Sequence, residues 1–362
     1  MRYKSIRPGK TWLDTAGKPI QAHGGSVFYE NGTYYFYGEN KEKTDGKNGI
    51  WHYGVRAYAS KDLYNWEDLG LIIPPNLSDK KSSLHPTSMM DRPHIIYNER
   101  TKKYVCWLKI MQKDGQTETV LTADKFTGPY TVVNENIRPC DFDAGDFDLV
   151  VDDKTKKAYY YFEKVHTETV CAELNDDYTD VTGVFTSHFP AKCPPFVREA
   201  TAHFYRNNKH YILTSGTTGY LPNPSQVAVG DDYHGPFQIL GNPHVNDKTK
   251  TSFCSQISSV FKVQGKKDLY IACADRWVPD LDVEKYPYDF YAKAFEYSFS
   301  SDKSKLEKLL TQWNKTGEDL DFVFGDIHRN TSLSTYVWLP LIFEGDDVKI
   351  YWKDEWRIED FD

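Results

Sequence analysis

Residues 144–164 read AGDFDLVVDDKTKKAYYYFEK. An apolar run, a polar corner and a tyrosine-led apolar run make a β-hairpin, because Asp, Lys and Thr at the corner supply the local hydrogen bonding that a tight turn needs. The same unit recurs as GSVFYENGTYYFYGE at 25–39, PHIIYNERTKKYVCWLK at 93–109, TAHFYRNNKHYILTSG at 201–216 and ISSVFKVQGKKDLYIACAD at 257–275. The leading tyrosines, Tyr34, Tyr104, Tyr159, Tyr211 and Tyr270, follow one another at intervals of 70, 55, 52 and 59 residues. A second pair of strand-like runs follows each hairpin, as in TETVLTA (117–123) and PYTVVNE (129–135). After Tyr270 that pair is delayed to TYVWLPLIFEGDDVKIYWKDEW at 335–356.

Five units of four strands are the pattern of a β-propeller, in which a blade buries its faces only against its neighbours. The expected fold is all-β: a five-bladed β-propeller, four antiparallel strands per blade, as a single domain over 1–362. A β-sandwich with long loops accounts less well for a four-strand period met five times. Residues 278–330 interrupt the fifth unit. Within them, SSDKSKLEKLLTQWNKTG (300–317) has a Ser/Asp start and leucines at 306, 309 and 310, which reads as an amphipathic helix. A partly helical insertion of this length is expected to act as a lid or an edge cover.

Composition narrows the partners. Tyr, Phe and Trp number 26, 20 and 9, an excess that suits pleated, half-buried surfaces, with a minority of rings free to serve as platforms for sugars. The formal charge is −8 with the basic residues scattered, so a nucleic-acid partner is not expected. No apolar run approaches the length of a spanning helix, so no membrane partner is expected either. The amino terminus has no apolar core of a secretory signal, and the six cysteines form no CxxC pair; a cytoplasmic location with reduced thiols is the expectation. HExxH, P-loop, GxGxxG and GxSxG motifs are absent. No cofactor or metal is expected, apart from the alternative of a structural calcium or sodium ion in the channel. His23 reads as a hydrogen-bonded structural histidine, the alternative being to hold a cation or water.

In a propeller the first strand of each blade lines the central channel, so polar groups at those strand starts converge. The starts read QAHGGS (21–26), MDRPH (90–94), AGDFD (144–148), VREATA (197–202) and FCSQIS (253–258). They bring Asp91, Asp146, Asp148, Glu199 and Gln256 toward one pocket. A single carboxylate entering a strand is ordinarily a solvated turn residue; four at equivalent places in successive repeats point to a site. Acids crowded in a cleft raise one another's pKa, which prepares a general acid at neutral pH.

Five stretches carry a family resemblance: 18–41, 91–108, 145–163, 198–224 and 336–356. Through them the chain resembles glycoside hydrolase family 43, propeller enzymes that hydrolyse with inversion, and is most similar to the branch of exo-β-1,3-galactanases. The resemblance implies a hydrolase of an oligosaccharide or polysaccharide that releases terminal β-galactose from β-1,3-galactan or arabinogalactan-type chains. It implies Glu199 as general acid, Asp146 as the carboxylate that raises the pKa of that acid, and Asp91, Arg92, Glu39, Trp107 and Thr218 as sugar-binding residues. The family's usual general base is a first-blade aspartate, where this chain has His23-Gly24-Gly25. In the galactanase-like branch a fifth-blade glutamine takes that place, here Gln256, as base or as holder of the attacking water, expected roughly 6.5–9.5 Å from the Glu199 carboxyl. Asp91 is the rival base. Asp91-Arg92-Pro93 replaces the more usual Glu-Arg-Pro, and SGTTG (215–219) replaces Ser-Gly-Cys-Thr-Gly. Arabinofuranosidase and β-xylosidase activity, and a non-catalytic carbohydrate-binding propeller, are the alternatives.

Overall fold

The computed structural model describes residues 2–316, 324, 325 and 328–362. Five antiparallel sheets stand around a channel as blades of a propeller. Their innermost strands are His23–Glu30, Met89–Asn98, Ala144–Val151, Arg198–Arg206 and Gln256–Lys262. Each packs beside the next, and the fifth packs beside the first, which closes the ring. The first four blades each pair four strands in chain order from the channel outward.

The fifth blade is assembled differently. Gln256–Lys262, Tyr270–Arg276 and Thr335–Pro340 pair as one sheet. Its outer edge meets both chain ends: the Gly9 N–H donates to the Tyr336 carbonyl at 2.7 Å, and Ile6 and Trp356 exchange hydrogen bonds of 2.9 and 3.0 Å. The hairpin expected over 335–356 therefore divides. Its first run joins the sheet, while Ile342–Glu344 and Asp347–Lys349 form a separate ribbon. Burial explains the split, because Leu341, Val348 and Ile350 fill the seam between the fourth and fifth blades.

Every seam between blades is apolar and most are rich in rings, the physical reason that a blade cannot stand alone. Phe36, Trp66, Tyr336 and Trp338 fill the seam of blades five and one, and Tyr37, Ile95, Leu108 and Phe126 that of one and two. Trp107, Phe147, Tyr160 and Phe162 close the next, and Tyr159, Tyr161 and Ile212 the one after it. Most of the aromatic excess is spent here.

The insertion carries two helices, α1 (Tyr288–Ser298) and α2 (Lys303–Thr316). The second is the helix read from 300–317. The first escapes a sequence reading because YDFYAKAFEYS is rich in rings that favour strands as readily; burial of Tyr291 and Ala294 against Leu221 and Trp313 makes it helical here. Residues 317–323, 326 and 327 of the expected insertion lie outside the described residues.

All five inner strands carry a bulge near one end, between His23 and Ser26, Asp91 and His94, Ala144 and Phe147, Glu199 and Ala202, and Ile257 and Ser259. Within three of them the backbone turns left-handed, with φ of 60° at Gly24, 54° at Arg92 and 49° at Ala200. For Arg92 and Ala200 that conformation costs roughly 1–2 kcal/mol each. Bulges re-aim side chains, and strain of this kind gathers where function holds it.

Candidate active site

The bulged ends surround a cavity of about 360 Å³. Glu39, Asp91, Arg92, Lys109, Asp146, Glu163, Glu199 and Gln256 form its polar lining, and Trp51, Tyr220, Trp277, Phe295 and Phe299 its aromatic rim. Of the residues expected from sequence, Glu199, Asp146, Gln256, Asp91, Arg92 and Glu39 meet there.

Asp146 is the electrostatic centre. Its Oδ1 lies 2.6 Å from Lys109 Nζ and its Oδ2 2.7 Å from Arg92 Nη2. Burial alone would raise the Asp146 carboxyl, but the Arg92 and Lys109 charges outweigh it and bring the pKa down to about 2. Burial likewise acts to discharge Lys109, and Asp146 and Asp91 overcome it, holding the ammonium well above its ordinary range. The two cations thus favour the ionised form of Asp146.

Glu199 has the opposite environment. Burial pushes its pKa well above the carboxylate range, the negative charges of Asp146 and Glu163 push the same way, and Lys109 and Arg92 oppose without prevailing. These surroundings favour the protonated form of a carboxyl that lines the cavity, the form a general acid requires. Glu163 can take its place because Gly145 has no side chain: a Cβ there would lie 2.1 Å from Glu163 Oε2. His166 holds Glu163 Oε1 through its backbone N–H at 2.8 Å and its Nδ1 at 3.0 Å.

Gln256 bonds through both ends of its amide. Its Oε1 accepts from Arg92 Nη2 at 2.6 Å and from Trp277 Nε1 at 3.2 Å, while its Nε2 donates to Ser215 Oγ at 2.9 Å and to Glu199 Oε1 at 3.2 Å. The expected separation of 6.5–9.5 Å from Glu199 is thus replaced by direct contact. The reason is local: two polar groups share a pocket wall, and Arg92 fixes the carbonyl end so that the amino end must face the acid.

At the first blade, Glu39 occupies the space that a carboxylate at 23–25 would fill. A Cβ on Gly24 would meet Glu39 Oε1 at 2.5 Å. Glu39 accepts the Arg92 backbone N–H at 3.0 Å and pairs with Lys41 at 2.6 Å. Burial raises its pKa to about 7, Lys41 opposing and Asp91 reinforcing. Asp91 in turn accepts from Trp51 Nε1 at 2.7 Å and lies 3.5 Å from Lys109.

Three expectations differ. Asp148 sits two residues down the strand from Asp146, about 6.6 Å deeper by strand rise, where it binds His94 Nδ1 at 2.8 Å and the His203 N–H at 2.7 Å. Trp107 is likewise one strand repeat below Lys109; it is fully buried against Tyr160, its Nε1 bound to the Tyr178 carbonyl, and so is a seam residue outside the cavity. Thr218 is buried in its own loop, donating to the Leu221 carbonyl and accepting from Asn223, while its neighbours Thr217 and Gly219 reach the cavity. His23 is fully buried, bonded to Asp275 at 2.9 Å and stacked on Tyr336. Among the described residues no group of three or more His, Cys, Asp or Glu side chains gathers as for a metal.

Sequence reading missed Lys109, Glu163 and the aromatic rim. Lys109 had a signal: it is a charge closing the apolar run KYVCWL. Trp51, Tyr220 and Trp277 had none, because loops far apart in the chain bring them together.

Residues 17–281 match the model described as glycosyl hydrolases family 43. The chain belongs to that family. Among solved structures it resembles a family 43 β-1,3-galactosidase at 30% identity and a TM-score of 0.76, with 100% of this chain and 65% of that one covered. The chain thus spans just under two thirds of that relative. A second family 43 β-1,3-galactosidase, solved with galactodeoxynojirimycin, is 24% identical with a TM-score of 0.74, covering 98% of this chain and 100% of that one. An exo-β-1,3-galactanase of Phanerochaete chrysosporium, solved with galactose, is 22% identical with a TM-score of 0.74, covering 98% and 68%. At those lower identities the likeness shows the fold. No curated protein sequence matches the chain. Family 43 membership makes the substrate a carbohydrate and the cavity the place to seek its hydrolysis.

Proposed function

We propose that this protein is an exo-acting, inverting β-galactosidase that removes terminal galactose from β-1,3-linked galactan. The observation that carries the reading is the pair of carboxyls in one cavity, Glu199 where burial and neighbouring charge raise its pKa and Asp146 held low by Arg92 and Lys109. A binding module has no use for a paired acid and modulator, which argues against a non-catalytic propeller. The activities named for the similar solved structures support galactose as the sugar. A cavity at the small end of the ligand-site range suits a terminal residue better than a chain interior.

In this mechanism Glu199 gives its proton to the glycosidic oxygen as the bond to the anomeric carbon breaks, and the Asp146 charge keeps that proton in place until it is needed. Inversion needs water on the opposite face. Glu199 stands on the fourth blade, and in a five-membered ring the first and second blades lie across from it. Asp91 is the carboxylate on that side that ion-pairs with Lys109, and it takes the base role in this reading. Gln256, on the neighbouring fifth blade and in contact with Glu199, orients the acid. Arg92 and Glu39 are placed for sugar hydroxyls.

The test is hydrolysis of β-1,3-galactobiose, longer β-1,3-galacto-oligosaccharides and a panel of aryl glycosides, with product anomers followed by NMR. Release of α-galactose from the non-reducing end supports the reading. Release of arabinofuranose or xylose instead would replace the sugar, and hydrolysis of none would replace the function.

A further inference from the structure

The insertion shapes the site that Glu199 serves. Helix α1 is fixed to the fourth blade: the Tyr291 hydroxyl donates to the Pro222 carbonyl, and Tyr291 and Ala294 are buried with Leu221 and Trp313. Positions four apart share a helix face. Tyr291, Phe295 and Phe299 therefore form one stripe, anchored at its first ring and reaching the cavity with the other two. Phe299, at the helix end, meets the His166 ring edge-on at a centroid distance of 5.0 Å. His166 belongs to the third blade and holds Glu163, whose charge acts on Glu199. The stripe thus spans from the fourth blade to the third, over the wall that carries the acid.

That wall is where the leaving group departs, since the acid must touch the glycosidic oxygen. Phe299 is 47% exposed, although its helix is docked and a polar residue would serve there at no cost. An apolar ring left open on the cavity that holds the acid offers a flat face to the C–H face of a pyranose.

We infer that Phe295 and Phe299 form the leaving-group subsite, which binds the penultimate pyranose of the substrate by stacking. The inference rests on Glu199 being the acid. It adds that the insertion sets the preference for a sugar, rather than a small alcohol, as the departing group.

The test compares a β-1,3-linked disaccharide with the methyl glycoside of the same terminal sugar, whose leaving group is too small to reach the rings. In Phe299→Ala, kcat/KM for the disaccharide should fall about threefold to tenfold further than that for the methyl glycoside. Phe299→Trp should restore the disaccharide rate, and as Phe299 is about half exposed at the end of its helix both variants should fold. Equal losses on both substrates, or no loss on either, overturn the subsite. A wild-type protein that releases a sugar other than galactose refutes only the galactose reading, and the comparison is then made with the pair built on that sugar. Wild-type protein inactive on every pair refutes both.

Discussion

Gln256 Nε2 lies 3.2 Å from Glu199 Oε1, so the amide and the acid are hydrogen-bonded across the seam of the fourth and fifth blades. In the proposed mechanism this contact makes Gln256 the partner of the acid and leaves the base role to the far side of the ring.

Asp91→Asn and Gln256→Ala should therefore behave differently with azide. Loss of a base lowers turnover by about 10²–10⁴-fold. In Asp91→Asn, azide should restore the rate and yield a glycosyl azide of inverted configuration. In Gln256→Ala, activity should fall without azide rescue, because the acid has lost an orienting bond while the base remains. Rescue confined to Gln256→Ala would return the base role to the amide.

Glu199→Gln should cut kcat on an unactivated galactobiose by about 10²–10⁴-fold and cut it less on an aryl glycoside with a good leaving group. It should also make the protein more stable. The folded pKa of Glu199 lies above its ordinary value of 4.5, so above that pH the unfolded chain gains by ionising while the buried acid cannot. The Tm advantage of the amide variant should be absent at pH 4 and widen as pH rises to 8. A lower Tm across that range would contradict the buried protonated acid.

Asp146→Asn should move the basic limb of the kcat profile to lower pH, since the charge that disfavours ionisation of Glu199 is gone. It should also cost about 3–5 kcal/mol at neutral pH, by leaving buried Arg92 and Lys109 with one partner fewer. With a folded pKa of about 2 against an ordinary 3.8, the Asp146 contribution is present above about pH 4 and is lost as pH falls toward 2. Urea melts of the two proteins should accordingly converge at the acid end.

Lys109→Met should shift the same basic limb in the opposite direction. The Lys109 charge lowers the Glu199 pKa, so its removal leaves the acid protonated to higher pH. A downward shift would show that Lys109 acts on Glu199 only through Asp146.

By itself the sequence determined the ring and half of its chemistry. Tyrosine-led hairpins fix each blade through contacts between near neighbours in the chain, and those are local rules. The strand starts also marked Asp91, Asp146, Asp148, Glu199 and Gln256, because the first strand of a blade must face the channel. Depth along the strand was illegible: Asp148 and Trp107 share the alternation of Asp146 and Lys109, yet two residues of rise put them below the cavity floor. Only the tertiary structure decided which groups touch. The Gln256–Glu199 contact, the Lys109 bridge between Asp146 and Asp91, and the stripe that α1 lays across to His166 each join segments separated by dozens of residues. Burial then set the balance of charge, for the surroundings that raise the Glu199 pKa and lower that of Asp146 come from several blades at once, and no stretch of sequence contains them.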